Sequence, residues 1–266
     1  MSIKIFQIGF NKCGTLSIHD FLVENGIRSV HYLKGELANI IFENHENGCD
    51  LLTGLDEYDA FSDMESLTAD GFQYVANDLF KALHRSYPDA IFILNTRPVD
   101  VWINSRLMHG GGSYLDRYRC ILDKPKADII EVWRKQYQEH VANVLSYFSE
   151  HPDAHFIHLD LATSQPDELG LFLQKSGVPL TKLSLPHVHK SPSKKLPKTK
   201  EHLSHILDAA WYFKNDESSV CESLLLAALK IDPTNVYAKS ELNKKTSIVK
   251  YWTRKIKFIF GDNQSC

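Results

Sequence analysis

The stretch Gly9-Phe10-Asn11-Lys12-Cys13-Gly14-Thr15-Leu16-Ser17 lies between a short apolar run, 3–8, and an amphipathic run that begins near Ile18. This order of segments predicts a strand, a tight turn and the start of a helix. A glycine at each end lets the backbone turn sharply, and the amides of a helix N-terminus attract anions. With Lys12 inside the turn, the stretch is a candidate cradle for a phosphate or sulfate group.

The stretch departs from the P-loop of nucleoside triphosphatases at one position. That motif, G-x-x-x-x-G-K-[ST], needs a lysine directly after its second glycine and a hydroxyl next to it to hold magnesium. Here Gly14 is followed by Thr15, and the lysine is Lys12. The difference argues against ATP or GTP hydrolysis. Residues 12–15 instead resemble the K-x-G-T loop of sulfotransferases, which grips the 5'-phosphosulfate of PAPS (3'-phosphoadenosine 5'-phosphosulfate).

A second stretch follows the apolar run 90–94: Asn95-Thr96-Arg97-Pro98-Val99-Asp100-Val101-Trp102-Ile103-Asn104-Ser105-Arg106. The apolar run predicts a buried strand, and the proline and aspartate behind it suit the first turn of a helix. Arg97 is therefore expected at the carboxyl end of a strand, and Ser105 about two turns into the next helix. This spacing resembles the sulfotransferase element that holds the 3'-phosphate of PAPS, in which a serine stands eight residues after an arginine.

The two motifs stand in the same order as in the sulfotransferase family, and the resemblance covers residues 3–189, mostly as pattern. It is closest to the branch whose loop reads G-F-x-K-x-G-T-x-S. The resemblance implies an α/β fold, a three-layer parallel sheet of the P-loop nucleotide-kinase-like type with helices on both faces. We assign residues 1–200 to this domain and residues 201–266 to an α-helical C-terminal extension.

Apolar periodicity predicts the elements of the sheet domain. Strands are expected over 3–8, 27–33, 58–62, 90–94 and 154–159, and helices over 18–25, 35–47, 69–86, 129–148 and 167–176. The triple glycine in segment 107–123 predicts irregular backbone, either a mobile lid over the acceptor or a surface connection. Strand, helix and strand in this order imply right-handed crossovers and a parallel sheet, whose ligands bind beyond the carboxyl ends of the strands.

The resemblance implies roles for the residues of the turn. The residues expected to bind the 5'-phosphosulfate group are Asn11, Lys12, Cys13, Gly14, Thr15, Leu16 and Ser17. Lys12 is also expected to stabilise the leaving phosphate oxygen. Thr15 and Ser17 have an alternative role, since such residues commonly cap helices. A proline-flanked basic segment resembles the loop that closes over the cofactor in this branch, and it adds His189 and Lys190 to the candidate binding residues.

The acceptor must lose a proton, so a general base is expected near the turn. Asp63 and His31 fall at the carboxyl ends of predicted strands. In cytosolic sulfotransferases a histidine occupies the place comparable to Asp63, and in related branches the base is a carboxylate. A pocket can tune a carboxylate upward, whereas an imidazole titrates near neutral pH without tuning. We favour Asp63 over His31, with Glu65 third; the alternative role for Asp63 is a helix cap.

Composition and charge restrict the class of protein. The 266 residues are 43% hydrophobic and 24% charged, as is typical of soluble globular proteins, and the net charge of -3 argues against a general nucleic-acid binder. The five cysteines are scattered, which indicates free thiols rather than a disulfide framework or a zinc site.

No apolar stretch is long enough to span a bilayer, and we expect a cytoplasmic protein. Sulfuryl transfer does not demand a metal ion, and none is expected.

The C-terminal segment has the pattern of helices alone. Residues 224–238 resemble the second helix, the D-P-x-N turn and the next helix of a tetratricopeptide repeat, and residues 206–213 fit its first helix. One such repeat cannot bury its own apolar face, so it must pack on the sheet domain or on another subunit. A basic amphipathic helix is expected over 247–260, which either docks on the protein or lies on an anionic membrane.

The sequence therefore predicts sulfotransfer from PAPS to a hydroxyl or an amine, with PAP as the product. No motif identifies the acceptor, which is a carbohydrate, a lipid or a small molecule, and none identifies the oligomeric state. Two alternatives remain. A nucleotide or small-molecule kinase would use the same cradle with ATP and magnesium. A non-catalytic binding protein would keep the fold and present its helical end to a partner.

Overall fold

The computed structural model describes residues 3–67, 73–185, 198–215 and 217–245. They belong to two compact units. The sheet unit takes its residues from Met1–Arg106 and Ile130–Lys194, and the helical unit takes its residues from Leu107–Ile129 and Lys195–Cys266. The helical unit is thus assembled from two separate stretches of the chain.

The described part of the sheet unit contains seven strands: β1 (Ile5–Gln7), β2 (Ser29–His31), β3 (Ala60–Ser62), β4 (Glu65–Leu67), β5 (Gln73–Val75), β6 (Ile91–Thr96) and β7 (His155–Asp160). Five of them form one parallel sheet in the order β2-β3-β1-β6-β7. β4 and β5 form a separate antiparallel pair. Because β1 is the central strand, the turn that follows it opens at the middle of the carboxyl edge of the sheet.

The helices over the described ranges are α1 (Thr15–Glu24), α2 (Glu36–Glu46), α3 (Phe80–Ser86), α4 (Val99–Leu107), α5 (Ser113–Leu122), α6 (Lys126–Ser149), α7 (Glu168–Lys175), α8 (Lys198–Phe213) and α9 (Ser218–Ile231). The chain is helical again over 236–245. No helix within these ranges is long and apolar enough to cross a bilayer.

Alternation along β1 divides the apolar core into two layers. On one face the Phe6 ring stacks between Phe61 and Phe92, at centroid distances of 5.3 and 5.4 Å, and helices α2, α3 and α6 cover this cluster. On the other face Ile5 packs with Ile91 under α1 and α7. These side chains are buried almost completely. Helices therefore cover both faces of a parallel sheet, which confirms the predicted three-layer α/β fold.

All five predicted strands of the parallel sheet are confirmed. Residues 69–72 lie outside the described residues, and the helix predicted over 69–86 is wrong over 73–79. There β5 pairs with β4, and a 3₁₀ turn (Ala76–Leu79) leads into α3. Pairing satisfies the backbone of β5, whose residues favour strands over helices.

The helical unit forms around α5, α8, α9 and the helical stretch 236–245, whose apolar side chains share one cluster that includes Leu207, Leu225 and Tyr237. The irregular backbone expected over 107–123 is wrong, because a 3₁₀ turn (His109–Gly112) leads directly into α5. The three glycines adopt left-handed φ values of 57°, 63° and 97°, so they turn the chain into a helix. α8 and α9 pack on each other, and their resemblance to a tetratricopeptide repeat stays a prediction.

One guanidinium connects the helices of this unit. Arg119 on α5 is 2% exposed and donates to Asp116 Oδ1 at 2.7 Å, to Asp208 Oδ1 at 2.7 Å and to Ser204 Oγ at 3.0 Å. Asp116 Oδ2 in turn accepts a hydrogen bond from Asn235 Nδ2 at 2.6 Å. One cation of α5 is therefore shared between a carboxyl group of its own helix and one of α8.

The substitution Arg119→Ala should lower the free energy of unfolding of the helical unit by about 3 kcal/mol, because it leaves Asp116 and Asp208 without their buried cation. Denaturant unfolding followed by far-UV circular dichroism measures the change. Lys230→Ala is the matched control, since it removes an exposed cation of α9 and should change the free energy by less than about 0.5 kcal/mol. Equal effects of the two substitutions would contradict the role given to Arg119.

Candidate functional site

One side chain holds both ends of the turn after β1. Asn95, on the neighbouring strand β6, accepts a hydrogen bond at Oδ1 from the Gly9 amide at 3.2 Å. Its Nδ2 donates to the Cys13 carbonyl at 2.6 Å. Asn95 is completely buried. The adjacent strand therefore fixes the shape of the turn, and this residue was missed by the sequence analysis, although a polar residue that ends a buried apolar run is an unusual signal.

The two glycines that flank the turn are steric requirements. A Cβ on Gly9 would lie 2.2 Å from the Asn95 carbonyl oxygen and 2.3 Å from Asn95 Oδ1. Gly14 has a left-handed φ of 75°, and a Cβ there would lie 2.7 Å from Leu161 Cδ1. At Gly9 a side chain would overlap backbone atoms of β6, and at Gly14 the left-handed backbone conformation favours glycine.

Lys12 lies at the tip of the turn with a left-handed φ of 63°, which is uncommon for a residue with a side chain. Its carbonyl accepts a hydrogen bond from Arg97 Nη1 at 2.8 Å. Burial lowers the pKa of Lys12, an effect that the charge of Asp63 opposes and that of Arg97 strengthens. The half-buried ammonium lacks part of its hydration, and an anionic ligand would stabilise it.

The residue expected at the carboxyl end of the strand is there, because Arg97 directly follows β6. The Tyr137 hydroxyl donates to the Arg97 carbonyl at 2.7 Å and accepts from the Arg97 amide at 3.0 Å. Ser105 lies half-buried on α4, eight residues further on. The structure thus places both predicted 3'-phosphate residues on one strand-to-helix junction. The tyrosine that contacts this junction comes from α6, a helix to which the sequence analysis gave no role in the site.

α1 begins at Thr15, with Gly14 as its N-cap and no side chain capping it. The alternative in which Thr15 or Ser17 caps α1 is therefore wrong. The first amides of a helix have no intrahelical partner, so the start of α1 has hydrogen-bond donors for an anion. The Thr15 hydroxyl lies 3.2 Å from His31 Nε2, while Leu16 is exposed and Ser17 is half-buried.

The two candidate bases, Asp63 and His31, are neighbours at the carboxyl edge of the sheet. Asp63 Oδ2 lies 3.5 Å from His31 Nε2. Asp63 has a left-handed φ of 54° and leads into β4, so its alternative role as a helix cap is wrong. Its Oδ1 is buried and has no hydrogen-bond partner among the residues described. A buried carboxylate oxygen without a partner is costly, and such groups are typical of functional sites.

Their surroundings move the two pKa values in opposite directions. Burial raises the pKa of Asp63 to about 7, with a further increase from the charge of Glu65, and Arg106 opposes the change. Burial lowers the pKa of His31 to about 4, and the neighbouring His19 lowers it further. At neutral pH His31 is therefore uncharged, whereas Asp63 both holds and releases a proton. Of the two, Asp63 has the pKa that suits a general base.

Two residues of the turn direct their side chains into the protein. Asn11 accepts from Arg106 Nε at 2.9 Å and donates to Glu65 Oε1 at 3.3 Å, and its carbonyl accepts from Trp102 Nε1 at 2.9 Å. Cys13 is completely buried, and burial raises the pKa of its thiol to about 12. The side chains of Asn11 and Cys13 are therefore structural, and sequence reasoning that treated the turn as a row of ligand contacts did not separate them from the others.

The remaining predicted site residues, His189 and Lys190, lie outside the described residues. Within the ranges that the structure covers, no group of three or more His, Cys, Asp or Glu side chains is arranged to hold a metal ion.

The substitution Gly9→Ala should lower the free energy of unfolding by at least about 2 kcal/mol, because the new methyl group overlaps the backbone of β6. Gly48→Ala is the matched control. Gly48 has a left-handed φ of 66° and open space around it, so its substitution should cost about 1 kcal/mol of backbone strain. Denaturant titration of both variants gives the two values, and a Gly9→Ala variant as stable as Gly48→Ala would show that the turn does not need this close approach.

Comparison with known families identifies a domain in this chain. A family model described as a sulfotransferase domain matches residues 4–156. The matched residues include the turn after β1, the pair Asp63 and His31, and the junction from Arg97 to Ser105. Comparison with curated proteins finds no match. Because the family model covers more than half of the 266 residues, the chain belongs to the sulfotransferase domain family.

Proposed function

We propose that this protein transfers the sulfuryl group of PAPS to a hydroxyl or an amine of an acceptor. The observation that carries the proposal is the hydrogen bond from Arg97 Nη1 to the Lys12 carbonyl, at 2.8 Å. It joins the residue suited to a 3'-phosphate to the turn suited to a 5'-phosphosulfate. A ligand that carries both groups, as PAPS and PAP do, matches this junction better than ATP, which has no 3'-phosphate.

The donors around the turn fit the charge of such a ligand. Lys12 and Arg97 supply cations, the start of α1 supplies backbone amides, and Ser105 supplies a hydroxyl. Arginine binds a phosphate through two parallel hydrogen bonds, whereas lysine acts as a point charge. We therefore assign Arg97 and Ser105 to the 3'-phosphate, and Lys12 with the amides of α1 to the 5'-phosphosulfate.

The chemistry follows from these assignments. When bound, PAPS supplies an activated sulfuryl group with a phosphate as its leaving group. The acceptor oxygen or nitrogen forms a bond to sulfur while the bond from sulfur to the bridging oxygen breaks, and the acceptor proton passes to Asp63. Lys12 stabilises the charge that develops on the bridging oxygen, because a half-buried ammonium acts at a lower local dielectric than one in water.

We assign His31 a supporting role. Its Nε2 faces both the Thr15 hydroxyl, at 3.2 Å, and Asp63 Oδ2, at 3.5 Å. An uncharged imidazole at this place orients the two oxygens without competing for the proton, since its pKa of about 4 makes it a weak base.

The alternatives fit the site less well. A kinase with the P-loop motif would need a lysine directly after Gly14 and then a hydroxyl to bind magnesium. Those two positions hold Thr15 and Leu16. A binding protein without activity would not need a partially protonated carboxylate beside the anion cradle. The proposed acceptor remains a carbohydrate, a lipid or a small molecule, and contact of the segment 247–260 with a membrane remains a proposal about residues outside the described ranges.

Calorimetric titration should show that PAP binds the wild-type protein tightly and that AMP, which lacks the 3'-phosphate, binds at least about 10-fold more weakly. Arg97→Ala should remove this difference by weakening PAP binding more than AMP binding, because it removes the 3'-phosphate partner as well as the bond to the Lys12 carbonyl. Arg134→Ala is the matched control, since it removes an arginine of α6 that pairs with Asp100 on the outside of the sheet unit. Weak PAP binding, or a preference for ATP with magnesium, would contradict the proposed function in favour of a kinase.

Asp63 should also leave a signature in the pH dependence of stability. Its pKa is raised from 3.8 to about 7 in the folded protein, so ionisation of the carboxylate destabilises the fold as the pH rises through this interval. Asp63→Asn removes that effect and should increase the free energy of unfolding at pH 8, with the gain fading towards pH 4. Asp56→Asn, at an exposed position, is the control. A gain that is the same at every pH would argue against a raised pKa for Asp63.

A further inference from the structure

We propose that Arg106, Asn11 and Glu65 form a positioning ring that gives the turn the shape needed to bind the donor. Arg106 Nε donates to Asn11 Oδ1 at 2.9 Å, and Arg106 Nη2 donates to Glu65 Oε2 at 2.6 Å. Asn11 Nδ2 closes the ring by donating to Glu65 Oε1 at 3.3 Å. The three residues are 1%, 8% and 3% exposed. The ring is therefore internal, and none of its members is a catalytic residue.

Each member of the ring is near a residue of the proposed site. Arg106 directly follows Ser105 on α4, and Asn11 directly precedes Lys12 in the turn. The third member lies on β4, two residues after the proposed base. A shift in any of the three segments would change the distance between the groups proposed for the two phosphates and for the proton. The inference thus rests on the proposed function and adds to it the residues that hold the donor site together.

Aromatic rings fix the guanidinium in its place. The central carbon of Arg106 lies 4.3 Å from the centroid of the Trp102 ring, and 5.4 Å from the centroids of Phe10 and Trp133. Cation–π contacts of this kind are strongest where the cation has lost its water. Trp102 also donates from Nε1 to the Asn11 carbonyl at 2.9 Å. The side chain and the carbonyl of Asn11 are therefore both bound to residues of α4, which leaves the turn little freedom to change its shape.

Stability alone does not explain an ion pair at this depth. A buried pair of charges adds little free energy over apolar residues of the same size, because both charges lose their hydration. The pair Arg106 and Glu65 instead fixes the orientation of the groups bonded to it, since a guanidinium donates only along fixed directions and a carboxylate only accepts. That property is useful where a backbone turn must present its amides and its lysine to a ligand in one arrangement.

The donors and acceptors of the ring have one consistent assignment. Arg106 can only donate, so Asn11 must turn its oxygen to Arg106 and its NH2 group to Glu65. Glu65→Gln therefore breaks one bond of the ring, because its new NH2 group must face another donor, either the Asn11 NH2 group or the Arg106 guanidinium. Asn11→Asp also breaks one bond, because it sets two carboxylates against each other. The double variant, which combines the two substitutions, restores all three bonds with the same shapes and the same net charge, since the amide and the carboxylate have only exchanged positions.

The test is calorimetric titration of the full-length protein with PAP. Asn11→Asp and Glu65→Gln should each weaken PAP binding by at least about 10-fold, and the double variant should return to within about 3-fold of the wild type. Leu173→Ala is the matched control, because it creates a cavity under α7 and destabilises the sheet unit away from the ring. Its PAP affinity should be that of the wild type.

The outcomes separate the inference from the proposed function. A wild-type protein that does not bind PAP contradicts both. Two outcomes contradict the ring alone, provided that the wild-type protein binds PAP. In the first, the single variants bind PAP as well as the wild type does. In the second, the double variant binds PAP as weakly as the single variants do. Equal weakening in Leu173→Ala would also contradict it, because affinity would then follow general stability. If the single variants do not fold, the double variant decides: wild-type affinity supports the ring, and an unfolded or weakly binding protein overturns it.

Discussion

The close approach of the β1 turn to β6 is the constraint on which the site depends. A glycine without a Cβ lets the backbone come within contact of Asn95, and the asparagine amide then holds both ends of the turn. Parallel strands bring their carboxyl ends to one edge, so this single contact places the turn beside the segments that follow β2, β3 and β6. The shape of the anion cradle thus depends on the neighbouring strand as well as on the residues of the turn itself.

Backbone strain is concentrated at the same edge. Within the described residues, six positions other than glycine have left-handed φ values, and five of them lie in the segments that follow β1, β2 or β3: Lys12, Tyr32, Leu33, Lys34 and Asp63. Such conformations persist only where the surrounding structure enforces them, and they cluster at functional sites. The two residues with the clearest proposed chemistry, Lys12 and Asp63, are both among them, so each is held in place by its backbone as well as by its neighbours.

The sequence was most informative where local chemistry decides the structure. Apolar runs identified the strands of the sheet, and the spacing of Lys12, Arg97 and Ser105 identified the family. It was least informative where a distant partner decides. Residues 73–75 form a strand because β4 is there to pair with them, and segment 107–123 is helical in a unit completed by α8 and α9. The buried contacts of Asn95 and Arg106 depend on tertiary packing, which leaves little trace in the pattern of one chain.

The composition of the helical unit affects how the protein folds during synthesis and how it can be truncated. Because it combines residues 107–129 with residues beyond 195, the ribosome produces α5 long before the helices that cover it. Arg119 and the apolar side chains of α5 therefore lack their partners on α8 in the nascent chain until α8 has been synthesised. For the same reason a gene shortened before α8 would not simply remove an appendage. It would leave a half-built unit with an uncovered charge in the middle of the polypeptide.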